Sequence, residues 1–477
     1  MLKVLPALIA ALLAAPANAD TLIDNANGIQ VRADGGLERF DALLIGDDGK
    51  VVRTLAKGEP RPRADARVDA GGRALLPGLI DAHGHVIDAP GGDMGLGLML
   101  LQLDLNGTGS IAELKRRTAA YAAANPDADW ILGRGWNQEL WAGKRLPTAA
   151  DLDSVVADRP VLLARVDGHA AVANSAALKA AGITAATPDP QGGTIDRHPD
   201  GSPTGLLIDN AILLVARRAP PITSEMMSRA LLSAQAFLLS NGITAVADMG
   251  TSASGWDTMR RLGQTGALKM RIISYFDGLE PGQRTPTKGP TPWLHGDRLR
   301  MVGVKLYADG ALGSRGAWLK SPYADKPGTR GLQFLTDAQL REQAGKAAAA
   351  GFQVAVHAIG DAANAQVIGA FEELRKTHTG DRRWRIEHVQ VVDPADIPRI
   401  GRAGIIASMQ PVHQTSDRTM AEARLDPPRL AGAYAWNSIA RTGARLAFGS
   451  DFPVESPNPF PGLAAAVSRQ DPNGIPP

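Results

Sequence analysis

The sequence predicts an α/β protein whose larger part is a parallel-stranded barrel, preceded by a small β structure. Three observations carry this. From about Ile80 onward, apolar runs of strand length alternate with Ala-rich stretches of helical period, the pattern of a parallel sheet covered by helices. Before that point the apolar runs are short and broken by Gly and Asp, as in small β structures. Finally, Lys305, His357, His388, Gln410 and Asp451 each fall at or near the C-terminal end of a different apolar run. In a barrel those ends converge on one mouth. In an open doubly wound sheet, the rival architecture, they would spread along an edge away from the switch point. Five convergent polar positions favour the barrel.

The chain opens MLKVLPALIAALLAAPANAD. Lys3, the apolar residues 4–15 and the small-x-small Ala17-Asn18-Ala19 predict a signal peptide over 1–19, cleaved after Ala19. The apolar stretch falls short of the roughly 20 residues of a bilayer span, so a periplasmic or secreted location is expected, with no membrane association after cleavage. Residues 20–76 read as the strands TLIDNA, GIQVRA, DALLIG, DGKVVRTL and ARVDAGGRALLPG. The barrel is assigned to 77–465, with a Gly-, Pro- and Trp-rich structured insertion at about 126–215.

The last third alternates most clearly. MVGVKLYADG (301–310), FQVAVHA (352–358), WRIEHVQ (384–390), IIASMQP (405–411) and ARLAFGSDFPV (444–454) read as strands. Helices are expected at 336–351, with Thr336 or Asp337 as cap, and at 361–378. Further helices are expected in DPADIPRIGRAG and AYAWNSIARTG, the latter after a long polar loop.

Composition narrows the function classes. The 477 residues include no cysteine, so burial rather than disulfides must stabilise the fold, and any metal site must use His, Asp, Glu or Lys. A net charge of +2 without a dense Lys/Arg run gives nucleic-acid binding no support. A small-molecule partner is expected, and a homo-oligomer is compatible with the sequence.

The most specific signal is PGLIDAHGH, residues 77–85. Residues two apart on a strand share a face, so His83 and His85 can reach one cation. Alone such a pair is weak, because paired histidines are common on surfaces and in cores. His357 ending FQVAVH, His388 ending WRIEH and Asp451 in AFGSDFP raise it, since the chain has only nine histidines. The bland alternatives are hydrogen-bonded structural histidines and, for Asp451, a turn or helix cap. Lys305 interrupts the apolar run VGVKLYA, and burying an isolated ammonium is very costly. It can snorkel, pair with Asp309, lose its proton beside a cation, or be carboxylated to a carbamate that bridges two metals.

Eight ordered motifs, LLPGLIDAHGH, GRGWNQELW, RVDGHAAVANSAAL, VKLYADGALGSRGA, VHAIGDAA, RIEHVQ, SMQPVH and FGSDFPV, resemble the YtcJ-like branch of amidohydrolase family 3. That branch includes N-substituted formamide deformylases. The resemblance covers about residues 21–465. It implies a (β/α)8 TIM-type metal-dependent hydrolase barrel flanked by a small β-sandwich. By motif it assigns His83, His85, His357, His388 and Asp451 as metal ligands and puts Lys305 where relatives carry a carboxylated lysine. The expected cofactor is a divalent transition metal, zinc first, as one ion or two. Family members usually continue into a final barrel helix and further sandwich strands, so 466–477 is expected to be a truncated C-terminal tail.

The expected reaction is hydrolysis of a carbon–nitrogen bond other than a peptide bond. A divalent metal lowers the pKa of a bound water from about 15.7 towards 7. Asp451 is the expected catalytic group, passing a proton from the attacking water to the leaving nitrogen, with His388 or His357 stabilising the oxyanion. His169 and His413 are candidate substrate contacts, with a structural hydrogen-bonding role as the alternative. Trp136 and Trp141 would wall a pocket or pack the insertion. Arg315 could hold a substrate carboxylate, and Asp309 could orient Lys305. Two other functions stay open: hydrolysis of a cyclic ester or phosphoester on the same site, and an inactive metal-binding exported protein.

Overall fold

The computed structural model describes residues 20–475 apart from 33, 89–93, 167, 280–284 and 472. The signal peptide expected at 1–19 therefore lies outside the described residues. The chain divides into two compact units, 1–79 and 80–477.

The first unit holds two small sheets. One orders the strands Val51–Leu55, Ala42–Ile45, Thr21–Asp24 and Ala66–Asp69; the other orders Leu37–Phe40, Asn27–Val31 and Ala74–Leu75. Leu22, Ala42 and Leu55 of the first sheet are fully buried in one cluster. Sequence reading misses the edge strand Leu37–Phe40. Its Leu37 is exposed and Glu38 and Arg39 follow, so only Phe40 marks an apolar face.

In the second unit eight strands form one sheet in chain order: β1 (Leu79–Gly84), β2 (Ile243–Thr251), β3 (Arg271–Asp277), β4 (Leu299–Tyr307), β5 (Gln353–Ala358), β6 (Arg385–His388), β7 (Ile406–Met409) and β8 (Leu446–Phe448). Consecutive neighbours from β2 to β8 pair in parallel. The barrel closes just past β8: Asp451 N–H donates to His83 O at 2.8 Å, His85 N–H donates to Phe452 O at 2.8 Å, and Gly84 bridges Phe452 in parallel. Two glycines make that closure sterically feasible. A Cβ on Gly84 would lie 2.3 Å from the Phe452 ring, and one on Gly449 would lie 2.5 Å from the His83 nitrogen.

Helices Asp337–Ala349 and Asp361–Leu374 follow β4 and β5. The first starts in a capping box in which Thr336 and Gln339 satisfy each other's backbone N–H groups. The segment expected as a polar loop after β7 is instead the helix Pro411–Arg424. Proline at its first position presets the backbone, and it buries only Pro411, Gln414 and Ala421, too few apolar residues for a visible periodicity.

The expected insertion is a six-stranded sheet ordered Gly193–Arg197, Pro203–Asp209, Ala170–Ala173, Val161–Arg165, Ile131–Trp136 and Leu103–Asp104. It begins earlier than 126, because Leu103–Asp104 is a two-residue strand with no pattern to read. Among the described residues, no helix is long and apolar enough to cross a membrane.

Candidate functional site

Strand β1 delivers Asp81 and His83 to one buried face by its period of two, with His85 following. Asp81 accepts from Ser450 Oγ at 2.6 Å and from the N–H groups of His83 and Ser450 at 3.1 Å. It thereby ties the first strand to the turn after the last. Burial pushes its carboxyl up to about 6.

The His83 Nδ1 lies 2.7 Å from Glu387 Oε2. Glu387 is fully buried and chelated by Arg385 at 2.7 and 3.0 Å. Arg385 in turn donates to Ala82 O and Ser408 Oγ, each at 2.7 Å. Burial works against ionising Glu387, but the Arg385 guanidinium outweighs it and holds the carboxyl well below its usual range. An ionised carboxylate only accepts, so Nδ1 of His83 carries the proton and Nε2 presents a lone pair. Gln410 does the same for His388, its Oε1 lying 2.8 Å from Nδ1.

Around Asp451 these rings converge. Its Oδ1 lies 3.2 Å from His85 Nε2 and 3.4 Å from His83 Nε2. Its Oδ2 lies 3.9 Å from His413 Nε2 and 4.0 Å from His388 Nδ1. The His357 ring centroid is 4.5 Å from that of His388, which is 4.8 Å from that of His83. Asp451 and His388 sit at φ of +60° and +75°, a backbone state that costs a non-glycine residue about 1–3 kcal/mol and concentrates at functional sites.

Burial, reinforced by the Lys305 charge, drives His83 down to about 4 and His357 down to about 3; burial and the neighbouring imidazoles hold His388 well below its usual value. These rings are neutral at pH 7, the form that binds a cation. Burial opposes ionisation of Asp451, but His83 and the hydrogen bond from His85 hold it well below the ordinary carboxylate range.

The residues fit a divalent metal on two counts. Among the described residues the buried Nε2 atoms of His357 and His413 have no hydrogen-bond partner, and such orphans need explanation in a folded protein. Two groups, His83 with His85 and Asp451, and His388 with His413 and Asp451, also bring their ligand atoms within 4.8 Å of one another. Tetrahedral ligands at about 2.0–2.1 Å from zinc stand about 3.3–3.4 Å apart, close to the 3.2 and 3.4 Å separations around Asp451 Oδ1. His413, expected as a substrate contact, joins the second group.

Lys305 is 1% exposed. Its Nζ lies 3.4 Å from His83 Nε2 and 5.4 Å from the centre of the Tyr307 ring. Burial brings its pKa down to about 8. Of the options open to Lys305, the pairing with Asp309 is not the one seen among the described residues. Asp309 accepts instead from the N–H groups of Trp318, Gly360 and Ile359 at 2.8, 2.8 and 2.9 Å, with His357 Nε2 3.5 Å away.

All six expected ligands line one cavity of about 750 Å³. Trp136, His169 and Arg315 do not. The Trp136 indole is fully buried and donates to Leu163 O at 2.8 Å, and Trp141 donates to Thr108 O at 2.6 Å, so both pack the six-stranded sheet. His169 Nδ1 lies 2.8 Å from Asp209 Oδ1 with its side chain 75% exposed. Arg315 pairs with Asp325 at 2.7 Å. The pattern of apolar runs does not single out Arg385 and Glu387, although two charges flanking Ile386 between Trp384 and Val389, all of them buried, are a signal that they serve something inside.

Comparison with known proteins agrees with this geometry. Residues 66–475 match the model of a family described as the amidohydrolase family. Protein LONG AFTER FAR-RED 3 of Arabidopsis thaliana is 35% identical over 95% of this chain and 79% of its own length. The putative amidohydrolase YtcJ of Bacillus subtilis is 34% identical over 91% and 81%. The crystal structure of an uncharacterized metal-dependent hydrolase from Pyrococcus furiosus superposes with a TM-score of 0.74 at 27% identity, covering 95% of this chain and 90% of that one. A barrel closed at His83 and Asp451, with histidines gathered at its mouth and these relatives, makes the chain a member of the amidohydrolase family in its YtcJ-like branch.

Proposed function

We propose that this hydrolase is an exported, zinc-dependent enzyme that cleaves a carbon–nitrogen bond other than a peptide bond. One observation carries the reading: donor atoms of His83, His85 and Asp451 lie within 4.8 Å of one another in the wall of the cavity. His83, His85, His357, His388 and Asp451 would hold the ion, and Lys305, once carboxylated, would add an anionic ligand beside His83. A bound divalent cation supplies Lewis acidity, which brings a water's pKa towards neutrality and polarises a carbonyl.

The chain's own groups supply the rest. Asp451, anionic across the neutral range, accepts the proton of the attacking water and returns it to the leaving nitrogen. Glu387 and Gln410 fix the tautomers of His83 and His388, so no ring must reorient during turnover. His413, on the first turn of Pro411–Arg424, reaches the oxygen that becomes anionic.

The test offers purified protein a panel of N-substituted formamides and acylated amines beside a cyclic ester and a phosphoester, with and without chelator. Chelator-sensitive amine release, restored by zinc, is the expected result. Turnover of only the ester or the phosphoester would overturn the assignment of bond type.

A further inference from the structure

Strand β1 ends at Gly84, and His85 stands just beyond it, so the sheet ladder does not by itself fix the His85 ring. Backbone bonds do part of the work. His85 N–H donates to Phe452 O, Leu96 N–H donates to His85 O, and Gly97 N–H donates to Val86 O, each at 2.8 Å. A further tie comes from a side chain: Val86 N–H donates to Asp248 Oδ1 at 2.8 Å. Asp248 belongs to β2 and is 2% exposed.

The strand is built to aim that carboxyl. Ala247 and Met249 pack inside the barrel with Tyr275 and Val302, so by the period of two Asp248 points the other way, towards the helices. Val246 shares its face and joins a core cluster with Val86 and Trp256. Beyond it the alternation breaks. Met249 pairs with Tyr275 and Thr251 with Phe276 of β3, which leaves Gly250 as an extra residue at a φ of +115°. Such a bulge re-aims the side chains after it. Thr251 therefore comes round to the same face as Asp248, and its Oγ1 donates to Asp248 Oδ2. A carboxyl buried among apolar groups costs stability unless it is hydrogen-bonded. Here one oxygen is held by Thr251, and the other is thereby presented to Val86.

We propose that Asp248 is a positioning residue for His85. By holding the Val86 N–H it keeps the His85 ring 3.2 Å from Asp451 Oδ1, so that the nitrogen meets a cation without the backbone rearranging. Asp248 acts through the chain at 85–86, from the helix-facing side of the barrel wall. The inference rests on the metal-hydrolase reading above and adds a residue on which that site depends.

Asp248→Ala removes the tie, whereas Asp248→Asn keeps an acceptor for Val86. Zinc affinity, measured by competition with a chromophoric chelator, is expected to fall about 10–100-fold in Asp248→Ala and to recover in Asp248→Asn. In a His85→Ala background Asp248→Ala is expected to cost nothing further, because a residue that acts through His85 then has nothing to position. Zinc-free protein gives a second readout by nuclear magnetic resonance. The His85 ring signals, assigned by their loss in His85→Ala, are expected to shift in Asp248→Ala and return in Asp248→Asn. Where Asp248→Ala does not fold, Thr251→Val, which releases Oδ2 alone, is read in the same way. Wild-type zinc affinity in a folded Asp248→Ala overturns the proposal. An equal loss with and without His85 overturns it too, since that is the mark of a merely structural role. If wild type takes up no zinc but the His85 signals follow position 248, the metal reading fails and the positioning stands. If zinc binds and the signals do not move, the positioning fails and the metal reading stands.

Discussion

Glu387 Oε2 stands 2.7 Å from His83 Nδ1, and through that contact a fully buried ion pair dictates which nitrogen of a site histidine is free. Replacing Glu387 by Gln removes the charge that fixes the tautomer and leaves Arg385 buried without a counterion. Zinc affinity is expected to fall about 10–100-fold, as measured by competition with a chromophoric chelator. Unfolding of the metal-free protein in urea is expected to lose about 3–5 kcal/mol. Wild-type affinity in the variant would separate Glu387 from the site.

Asp451→Asn retains the shape of the side chain but cannot take up a proton. The variant is expected to bind zinc and to lose about 10²–10⁴ of kcat on any amide substrate. Full turnover would remove Asp451 from proton transfer; loss of zinc as well would make it chiefly a ligand.

Lys305 gives a pH signature. Its pKa is brought down to about 8 in the folded protein, against about 10.4 in an unfolded chain. Between those values the unfolded chain binds more protons, so stability rises with pH. The cost of burying the ammonium is complete below pH 8 and is relieved as pH climbs towards 10.4. For zinc-free protein in carbonate-free buffer, the stability gap to Lys305→Met is expected to change by about 2 kcal/mol in favour of wild type from about pH 7.5 to 10. Denaturant unfolding at both pH values measures it, and a pH-independent gap would mean a lysine of ordinary pKa.

Gly84 tests the closure of the barrel. An added Cβ would sit 2.3 Å from the Phe452 ring, so Gly84→Ala is expected to cost about 1–3 kcal/mol by overpacking. It would also displace His85 relative to Asp451, lowering zinc affinity. A thermal scan and a zinc titration check the two effects together, and an unperturbed variant would show that Phe452 yields freely.

Much of this was legible in the sequence because strand and site share one logic. His83, His357 and His388 end apolar runs, and the ends of parallel barrel strands meet at one mouth. Long-range pairing left less trace. Arg385 and Glu387 act through His83, about 300 positions away in the chain, and Asp81 through Ser450. The Pro411–Arg424 helix was hidden because one polar face lines the cavity and little of it is buried. For Trp136 the sequence left two readings, a pocket wall or packing of the insertion, and the alternation of Ile131–Trp136 turns the indole into the core of its own sheet.

The central claim is that the groups around Asp451 hold a divalent cation, and metal content per folded chain tests it most directly. Protein purified without chelator or added metal, analysed by elemental mass spectrometry, is predicted to carry one or two equivalents of zinc, and His85→Ala less than half of that. A cooperatively folded wild-type protein that carries no transition metal and takes up none from excess zinc would contradict the account.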